Sequence, residues 1–305
     1  MAKARVGYLG PEGSFSHEAV MTLADVDALA YPSIEDLLAA VADASLDQGL
    51  LPLENALEGT VSATIDGLVF NHDLVIVQEI VLPIHLHLLA RPGVELAEVT
   101  SVRSYVHALA QVRHFLHEHD LASVQTTSTS QAARDVAESN EPWAAVGSAL
   151  AGEIFGLSVV AADVEDHPDN ATRFVLVGRD EVAAPTGHDR TTIVCFQDAD
   201  RPGSLYAILG RFAARDVNLT KLESRPTKRG LGDYCFVIEF VGHVDDAVVA
   251  DCLADLQAHL ARVKFLGSYP VTGDGAVDRR AEVAEARRSA ASWIEAIRAR
   301  VRPSP

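Results

Sequence analysis

The sequence is poor in cysteine and in positive charge. Its 305 residues include only three cysteines, Cys195, Cys235 and Cys252, which are widely spaced and lie in apolar segments. An odd, scattered set of this kind disfavours a disulfide framework or a zinc site and indicates reduced, buried thiols. Lysine and arginine number 25 against 43 aspartates and glutamates, which gives a net charge of −18. No basic face is then large enough to neutralise a row of phosphates, so nucleic-acid binding is excluded.

Long hydrophobic runs are also missing. No stretch of about 18 apolar residues occurs, so no segment is predicted to span a membrane. The basic start Met-Ala-Lys-Ala-Arg is not followed by an apolar run before Gly7, which is unlike a signal peptide. We therefore expect a cytoplasmic location. With 48% hydrophobic and 22% charged residues, the chain is long enough to build two or three globular domains.

Short apolar runs alternate with helical patterns through the first half of the chain. This alternation predicts parallel sheets flanked by helices, and the order of elements restarts near Val99. We expect a two-lobed α/β domain over residues 1–185 with a cleft between the lobes. One lobe is predicted to comprise approximately residues 1–75 with 160–185, and the other residues 76–159.

A different order of elements follows the polar segment 185–190. Strand, helix, strand, strand, helix and strand patterns succeed one another, which is the ferredoxin-like βαββαβ arrangement. Leu205, Ile208, Leu209 and Phe212 have the spacing of a helix face that packs on a sheet. This second domain is predicted over residues 186–272. Residues 273–305 are expected to form a charged helix with a disordered end.

Four turns in the first domain place small or hydroxylated residues where a strand leads into a helix. Free N–H groups and the positive end of a helix make such turns suitable for binding anions. Because ligands of open α/β sheets bind at the carboxyl ends of the strands, these turns are candidate site segments. Helix capping alone remains the alternative for any single turn. The segments are 10–16, 52–60, 127–131 and 147–148.

The segment 166–174 is a polar loop that runs directly into an apolar strand. Its end, Thr172-Arg173-Phe174, combines a hydroxyl with a planar guanidinium that suits a carboxylate. Glu54 and Asn55 follow a buried Leu-Leu run, which is costly unless they are hydrogen-bonded or face a cleft. Thr172 and Arg173 together suit a small anionic substrate with a hydroxyl group, and Glu54-Asn55 is a candidate site segment. A plain structural role stays open for each.

Other catalytic patterns are weak. His85 and His87 share a strand face, but no acidic or thiol partner is near them in sequence, so we expect no metal. No Gly-x-Ser-x-Gly elbow marks a nucleophile, and Gly10-Pro11-Glu12-Gly13 is neither a dinucleotide fingerprint nor a phosphate loop. In the second domain, Gly203 opens a helix at a position where a ligand or a second backbone can come close.

Taken in order, these segments resemble the prephenate dehydratase family with a C-terminal ACT domain, over nearly all of residues 5–272. The matching pieces are Gly10 to Ser16, Pro52-Leu53-Glu54-Asn55 with Gly59, Ser128-Thr129 with Ala132-Ala133, Asn170-x-Thr172-Arg173-Phe174, Gly203-x-Leu205 and Glu223-Ser224-Arg225-Pro226. The resemblance implies a periplasmic-binding-protein-like catalytic domain followed by a ferredoxin-like ACT domain. It also implies a carbon–oxygen lyase that converts prephenate to phenylpyruvate in phenylalanine biosynthesis.

The resemblance assigns roles as well. Thr172 is the expected catalytic hydrogen-bond donor to the departing hydroxyl, and the reaction requires no metal or other cofactor. The predicted substrate-binding residues are Ser14, Glu54, Asn55, Ser128, Thr129, Gln131, Arg173 and Phe174. L-Phenylalanine is the expected allosteric effector, bound between paired ACT domains of a dimer or tetramer. Its predicted site comprises Gly203, Ser204, Leu205, Asn218, Leu219, Glu223, Ser224, Arg225 and Pro226.

The chain departs from the family pattern at two positions. Ala56 stands where the family often has serine, and Ser130 where it has alanine. Two alternatives remain at this point: an arogenate dehydratase, which performs the same chemistry on an amino-bearing side chain, and a non-catalytic two-lobed ligand sensor. No chorismate mutase module is apparent.

Overall fold

The computed structural model describes residues 3–197, 201–228, 230, 232–272, 289 and 292–300. The strands are β1 Ala4–Leu9, β2 Val26–Tyr31, β3 Gln48–Asn55, β4 Gly59–Thr60, β5 Val75–Pro83, β6 His87–Ala90, β7 Ser101–Ser104, β8 Ser123–Gln125, β9 Trp143–Gly147, β10 Ser158–Ala161, β11 Ala171–Gly178, β12 Asp189–Phe196, β13 Leu219–Pro226, β14 Tyr234–Val241 and β15 Arg262–Pro270. The α-helices are α1 Phe15–Met21, α2 Ile34–Ala42, α3 Ser62–Asp66, α4 Val106–Ala110, α5 Arg113–Glu118, α6 Thr129–Glu138, α7 Ala149–Phe155, α8 Ser204–Ala213 and α9 Ala247–His259.

The first lobe is built on a sheet of order β2-β1-β3-β11-β5, with β4 paired to β3. β1 is parallel to β2 and β3, whereas β11 runs antiparallel between β3 and β5. The predicted parallel pairing is therefore present for β1, β2 and β3, but it is wrong for β11. β11 returns from the second lobe and enters the sheet from the opposite end. The apolar segments 74–77 and 82–89, which read as two separate strands in the sequence, instead form the continuous strand β5 and the separate strand β6.

The second lobe has the sheet order β10-β6-β9-β7-β8, again with parallel and antiparallel pairs. The chain crosses between the lobes twice, through residues 84–86 and 162–170. Val106, Leu109, Val112 and Leu116 have the spacing of one continuous helix in the sequence, but this segment is split into α4 and α5. The Asp166 carboxylate accepts hydrogen bonds from the backbone N–H groups of Arg113 and His114, which starts α5 as a separate helix.

The C-terminal domain has the predicted βαββαβ order, with an antiparallel sheet β13-β14-β12-β15. One face of this sheet is covered by α8 and α9. The other packs on the first lobe, where Val194, Val237 and Leu266 join the core of that lobe. Gly267 permits the close approach, since a Cβ there would lie 2.3 Å from the backbone oxygen of Ile76. The predicted two-lobed α/β architecture with a ferredoxin-like second domain is confirmed.

Residues 292–298 are helical, and residues 273–288, 290–291 and 301–305 of the predicted tail lie outside the described residues. Within the described ranges, none of the helices is both long enough and apolar enough to cross a lipid bilayer.

Candidate active site

The centre of the site is a pair of polar side chains on adjacent strands. In the β3–β11 ladder Asn55 faces Thr172, and the Asn55 Nδ2 donates to Thr172 Oγ1 at 3.0 Å. The same amide group donates to Asn170 Oδ1 at 2.9 Å, and the buried Asn170 donates in turn to Gln111 Oε1 at 2.9 Å. Because Gln111 belongs to the second lobe, this chain of amides links the two lobes beside Thr172.

The Thr172 hydroxyl is half-buried and oriented by this pair. Its oxygen accepts from Asn55, and in the described part of the chain no side chain or carbonyl accepts its proton. A hydroxyl that accepts one hydrogen bond becomes a better donor for the next. Thr172 is therefore arranged to donate a hydrogen bond outward, as the predicted role requires.

Asn55 also holds the turn that follows it. Its Oδ1 accepts from the backbone N–H groups of Leu57 and Glu58, at 2.9 Å and 3.0 Å. The asparagine amide is thus fixed from both ends, which restricts its rotation. Ala56, the first departure from the family pattern, is exposed in this turn and adds no hydroxyl to the site.

The loop before α1 contacts the second lobe directly. Ser130 donates to the backbone oxygen of Glu12, and Ser148 donates to that of Gly13 at 3.2 Å. Gly13 has φ 78°, and a Cβ on it would lie 3.2 Å from both Ser130 Oγ and Ala151 Cα. Ser130, the second departure from the family pattern, is therefore buried in a contact between the lobes.

Ser14, a predicted substrate ligand, caps α1. Its Oγ accepts from His17 N and donates to Leu9 O, both at 3.2 Å. The His17 ring stacks on Tyr8 with centroids 4.9 Å apart, and its Nδ1 accepts from Gly13 N. Burial lowers the pKa of His17, against the opposing charge of Glu12, so the ring is neutral at pH 7.

Ser128, Thr129 and Gln131 lie at the start of α6. Ser128 Oγ caps the helix by accepting from Gln131 N at 3.0 Å, and the Gln131 side-chain amide donates to Asp135 Oδ1 at 2.7 Å. All three predicted ligands are partly exposed. Capping and anion binding are compatible here, since an N-terminus with a side-chain cap still has free N–H groups.

Glu54 and Arg173 lie on the opposite side of the sheet from Asn55 and Thr172. They face each other in the ladder, and Arg173 Nη2 donates to Glu54 Oε2 at 2.9 Å. The guanidinium also forms a two-bond pair with Glu239 of the C-terminal domain, at 3.0 Å and 2.9 Å, and lies 3.5 Å from Glu79. For Arg173 to hold a substrate carboxylate, these protein contacts would have to break. Its neighbour Phe174 is buried in the first-lobe core.

The carboxylates around Arg173 raise its pKa further above its usual range, outweighing the opposing effect of burial. Glu54 behaves as its partner. Burial favours its neutral form, but the hydrogen bonds and charges of Lys221 and Arg173 outweigh this and lower the pKa of Glu54. Glu54 and Arg173 are therefore both ionised at neutral pH.

The predicted phenylalanine-binding residues fall into two groups. Gly203, at φ 88°, and Ser204 start α8 beside a surface recess of about 400 Å³. The recess is lined by Gln197, Arg201, Gly203, Ser204, Leu205, Tyr206, Leu209 and Phe236.

Asn218 and Leu219 lie at the start of β13, an edge strand of the C-terminal sheet whose residues alternate between half-buried and exposed. Ser224 and Pro226 are exposed on this strand. Glu223 and Arg225 point to the catalytic domain instead: Glu223 accepts from Thr60, and Arg225 donates to Asp66 and Ser62.

The histidine pair on the second lobe acquires acidic neighbours in the fold. His85 Nδ1 lies 2.9 Å from Glu165 Oε1 and 3.9 Å from Asp163 Oδ1. The three ligand atoms of this group lie within 4.8 Å of one another, close enough to share a metal ion. The His85–Glu165 hydrogen bond already raises the pKa of His85, so an ordinary ion pair between the two chain crossings also accounts for the group.

Two site residues were not predicted. Asn170 stood within the quoted motif, directly before a strand, but only the fold shows that its amide bridges Asn55 and Gln111. Gln111 carried no signal, because its helical pattern suggested one uninterrupted helix. Local patterns likewise gave no signal for the Glu58–His107 pair, whose side chains lie 3.0 Å apart between the two lobes.

Comparison with known proteins agrees with this geometry. The family model for prephenate dehydratase matches residues 6–182, and the ACT domain model matches residues 191–258. A prephenate dehydratase of Mycolicibacterium vanbaalenii is 38% identical over 314 residues, covering 96% of this chain and 98% of its own length.

Two solved structures are also similar over most of the chain. One is a prephenate dehydratase of Arthrobacter aurescens in complex with L-Phe, with a TM-score of 0.86, 37% identity and coverage of 96% of this chain and 99% of the other. Another, described as a novel type of quorum quenching acylase, has a TM-score of 0.81, 30% identity and coverage of 88% and 98%. The chain belongs to the prephenate dehydratase family and carries a C-terminal ACT domain.

Proposed function

We propose that the protein converts prephenate to phenylpyruvate, carbon dioxide and water at the cleft beside Thr172. The observation that carries the proposal is the Thr172 hydroxyl, which is held by Asn55 between the two lobes with its proton available to a ligand. Family membership indicates which reaction is catalysed, and the Thr172 hydroxyl is a hydrogen-bond donor of the kind that this reaction needs.

The chemistry needs one well-placed donor. Loss of the ring carboxylate as carbon dioxide leaves an electron pair that forms the aromatic ring as the C–OH bond breaks. Charge develops on the departing oxygen, and a preorganised hydrogen-bond donor stabilises it there. Thr172 is suited to this as a neutral alcohol, with water completing the proton transfer, because its own pKa is too high for it to act as a strong acid.

The rest of the substrate is expected to bind to hydroxyl and amide groups from both lobes. Ser14 and Asn55 come from the first lobe, and Ser128, Thr129 and Gln131 from the start of α6. These groups and their backbone N–H neighbours hold the two carboxylates in line, which lowers the entropy cost of reaching the transition state.

Regulation is proposed for the ACT domain. Its αL glycine and the adjacent recess support a small-ligand site at the start of α8, and the L-Phe complex of the Arthrobacter protein supports phenylalanine as the effector. The exposed edge strand β13 supports self-association as a dimer or tetramer, which sedimentation in the presence and absence of phenylalanine tests. A cytoplasmic location stays a prediction from the sequence.

The activity is tested by following phenylpyruvate formation from prephenate, with arogenate as a comparison substrate. Thr172→Val keeps the shape of the side chain and removes the hydroxyl, so the rate should fall about 10²–10³-fold. Thr172→Ser keeps the hydroxyl and should retain most of the activity. A Thr172→Val enzyme as active as the wild type would remove Thr172 from the mechanism, and an inactive wild type would refute the function itself.

A further inference from the structure

One short hairpin contacts both Thr172 and the ACT domain. Residues 54–60 connect β3 to β4, and in this hairpin Glu54 faces Thr60 while Asn55 faces Gly59. Asn55 points into the cleft and bonds Thr172. Glu54, the next residue back, points to the ACT domain, because successive side chains of a strand lie on opposite faces.

Lys221 of β13 binds both sides of this hairpin. Its Nζ donates to Glu54 Oε1 at 3.0 Å and to Thr60 Oγ1 at 2.7 Å. Thr60 donates in turn to Glu223, two residues along the same ACT strand, at 2.8 Å. The Lys221 side chain is only 9% exposed, so its charge is desolvated and depends on these partners.

The backbone ladder between β3 and β11 is irregular at this point. The pairing of β3 with β11 shifts by one residue just beyond the Glu54–Arg173 pair, so that Phe174 faces Pro52. Pro52 has no N–H to donate, which is consistent with an interruption here. A bulge of this kind leaves side-chain contacts to determine where the neighbouring residues point.

We propose that Lys221 is a positioning residue for the Asn55–Thr172 pair, acting through Glu54, and that it transmits the state of the ACT domain to the active site. β13 begins at Leu219, two residues before Lys221, beside the predicted phenylalanine site. A shift of this strand moves the ammonium that holds the hairpin and so changes the aim of the Thr172 hydroxyl. The inference rests on the proposed function and adds the route by which the two domains communicate.

The test compares Lys221→Met with Lys228→Met in the full-length protein. Lys228 pairs with Asp66 at 2.8 Å on the same domain interface but does not touch the 54–60 hairpin, so it is a matched control. Lys221→Met should lower kcat about ten-fold with little change in KM, because a misaligned donor weakens only the transition state. Phenylalanine should still bind, as measured by calorimetry, but saturating phenylalanine should inhibit the remaining activity at least three-fold less than it inhibits the wild type.

Lys221→Arg keeps a cation near Glu54 and should recover most of kcat and of the inhibition. Thermal midpoints of all variants separate misfolding from misalignment. If Lys221→Met is unstable, Thr60→Val decides the point, because it removes one of the two Lys221 contacts to the hairpin. It should weaken the inhibition by phenylalanine, and inhibition equal to that of the wild type would overturn the inference. Equal kcat and equal inhibition in Lys221→Met, Lys228→Met and wild type would overturn the inference while leaving the proposed function intact. A wild-type enzyme that forms no phenylpyruvate would instead refute the function.

Discussion

Replacing Arg173 by methionine should destabilise the protein strongly, because the guanidinium holds three carboxylates together. Glu239 is almost completely buried, and after the substitution its nearest cation is Arg190 at 4.0 Å. Glu79 keeps Arg190 at 2.7 Å, and Glu54 keeps Lys221. Leaving one buried carboxylate without its two-bond partner typically costs about 3–5 kcal/mol. For a chain of 305 residues that unfolds as one unit, this corresponds to a fall in Tm of about 5–8 °C.

The measurement is a thermal melt at a fixed scan rate, with Arg173→Met compared with the double variant Arg173→Met/Glu239→Gln. The double variant should recover part of the lost stability, because it removes the charge of the Glu239 carboxylate as well as the Arg173 guanidinium that neutralised it. If Arg173 instead serves only to bind substrate, the single variant should melt like the wild type and show a raised KM. A wild-type Tm for Arg173→Met would refute the structural role.

Two further predictions concern other charged groups. Lys264→Met should lower stability by about 1–3 kcal/mol, because the buried Lys264 ammonium donates to the backbone oxygens of Leu68 and His72, both at 2.7 Å, and those carbonyls would lose their donor; an unchanged thermal midpoint would contradict this. His85→Gln should lower stability by no more than about 1 kcal/mol, since the His85–Glu165 pair is half exposed on the histidine side. Pairing with His85 lowers the pKa of Glu165, and pairing with Glu165 raises the pKa of His85. The pair should therefore contribute its full stabilisation between about pH 4.3 and 6.5. This stabilisation should be lost as pH rises through the raised pKa of His85 or falls through the lowered pKa of Glu165. Thermal melts of the wild type and of His85→Gln, at roughly unit intervals across pH 3–9, check this.

Local patterns predicted the elements well where a segment needs only its own sequence. The apolar spacing Leu205, Ile208, Leu209 and Phe212 specifies a helix that packs on one face, and α8 covers the ACT sheet as expected. The capping pattern at Ser33 and Asp36 likewise marks the start of α2. Such signals are carried within one or two turns of chain, so no knowledge of the fold is required to find them.

Strand partners could not be predicted in the same way. β11 lies between β3 and β5, more than 80 residues from either in sequence, and nothing in its apolar run specifies that it enters antiparallel. The break between α4 and α5 has the same origin, since Asp166, which caps α5, comes from the distant crossing segment. These features depend on contacts between remote segments rather than on propensity.

The facing of the site residues was partly contained in the sequence. Thr172 and Arg173 are consecutive in a strand, as are Glu54 and Asn55, and consecutive strand residues point to opposite faces. One residue of each pair must therefore face away from the cleft. The sequence did not show what the other face of the sheet contacts. Arg173 on that face pairs with Glu239 of the ACT domain, which lies 66 residues further along the chain.

The insertion of β11 has a consequence for the order in which the protein is made. A ribosome releases β3 and β5 long before β11, and until then the first lobe carries a gap with two unpaired strand edges at its centre. The second lobe is continuous in sequence from β6 to β10, so it can complete its sheet while the first waits. Nascent chains stopped before residue 171 should accordingly be the ones that aggregate or recruit chaperones, because unpaired edges associate with any available strand.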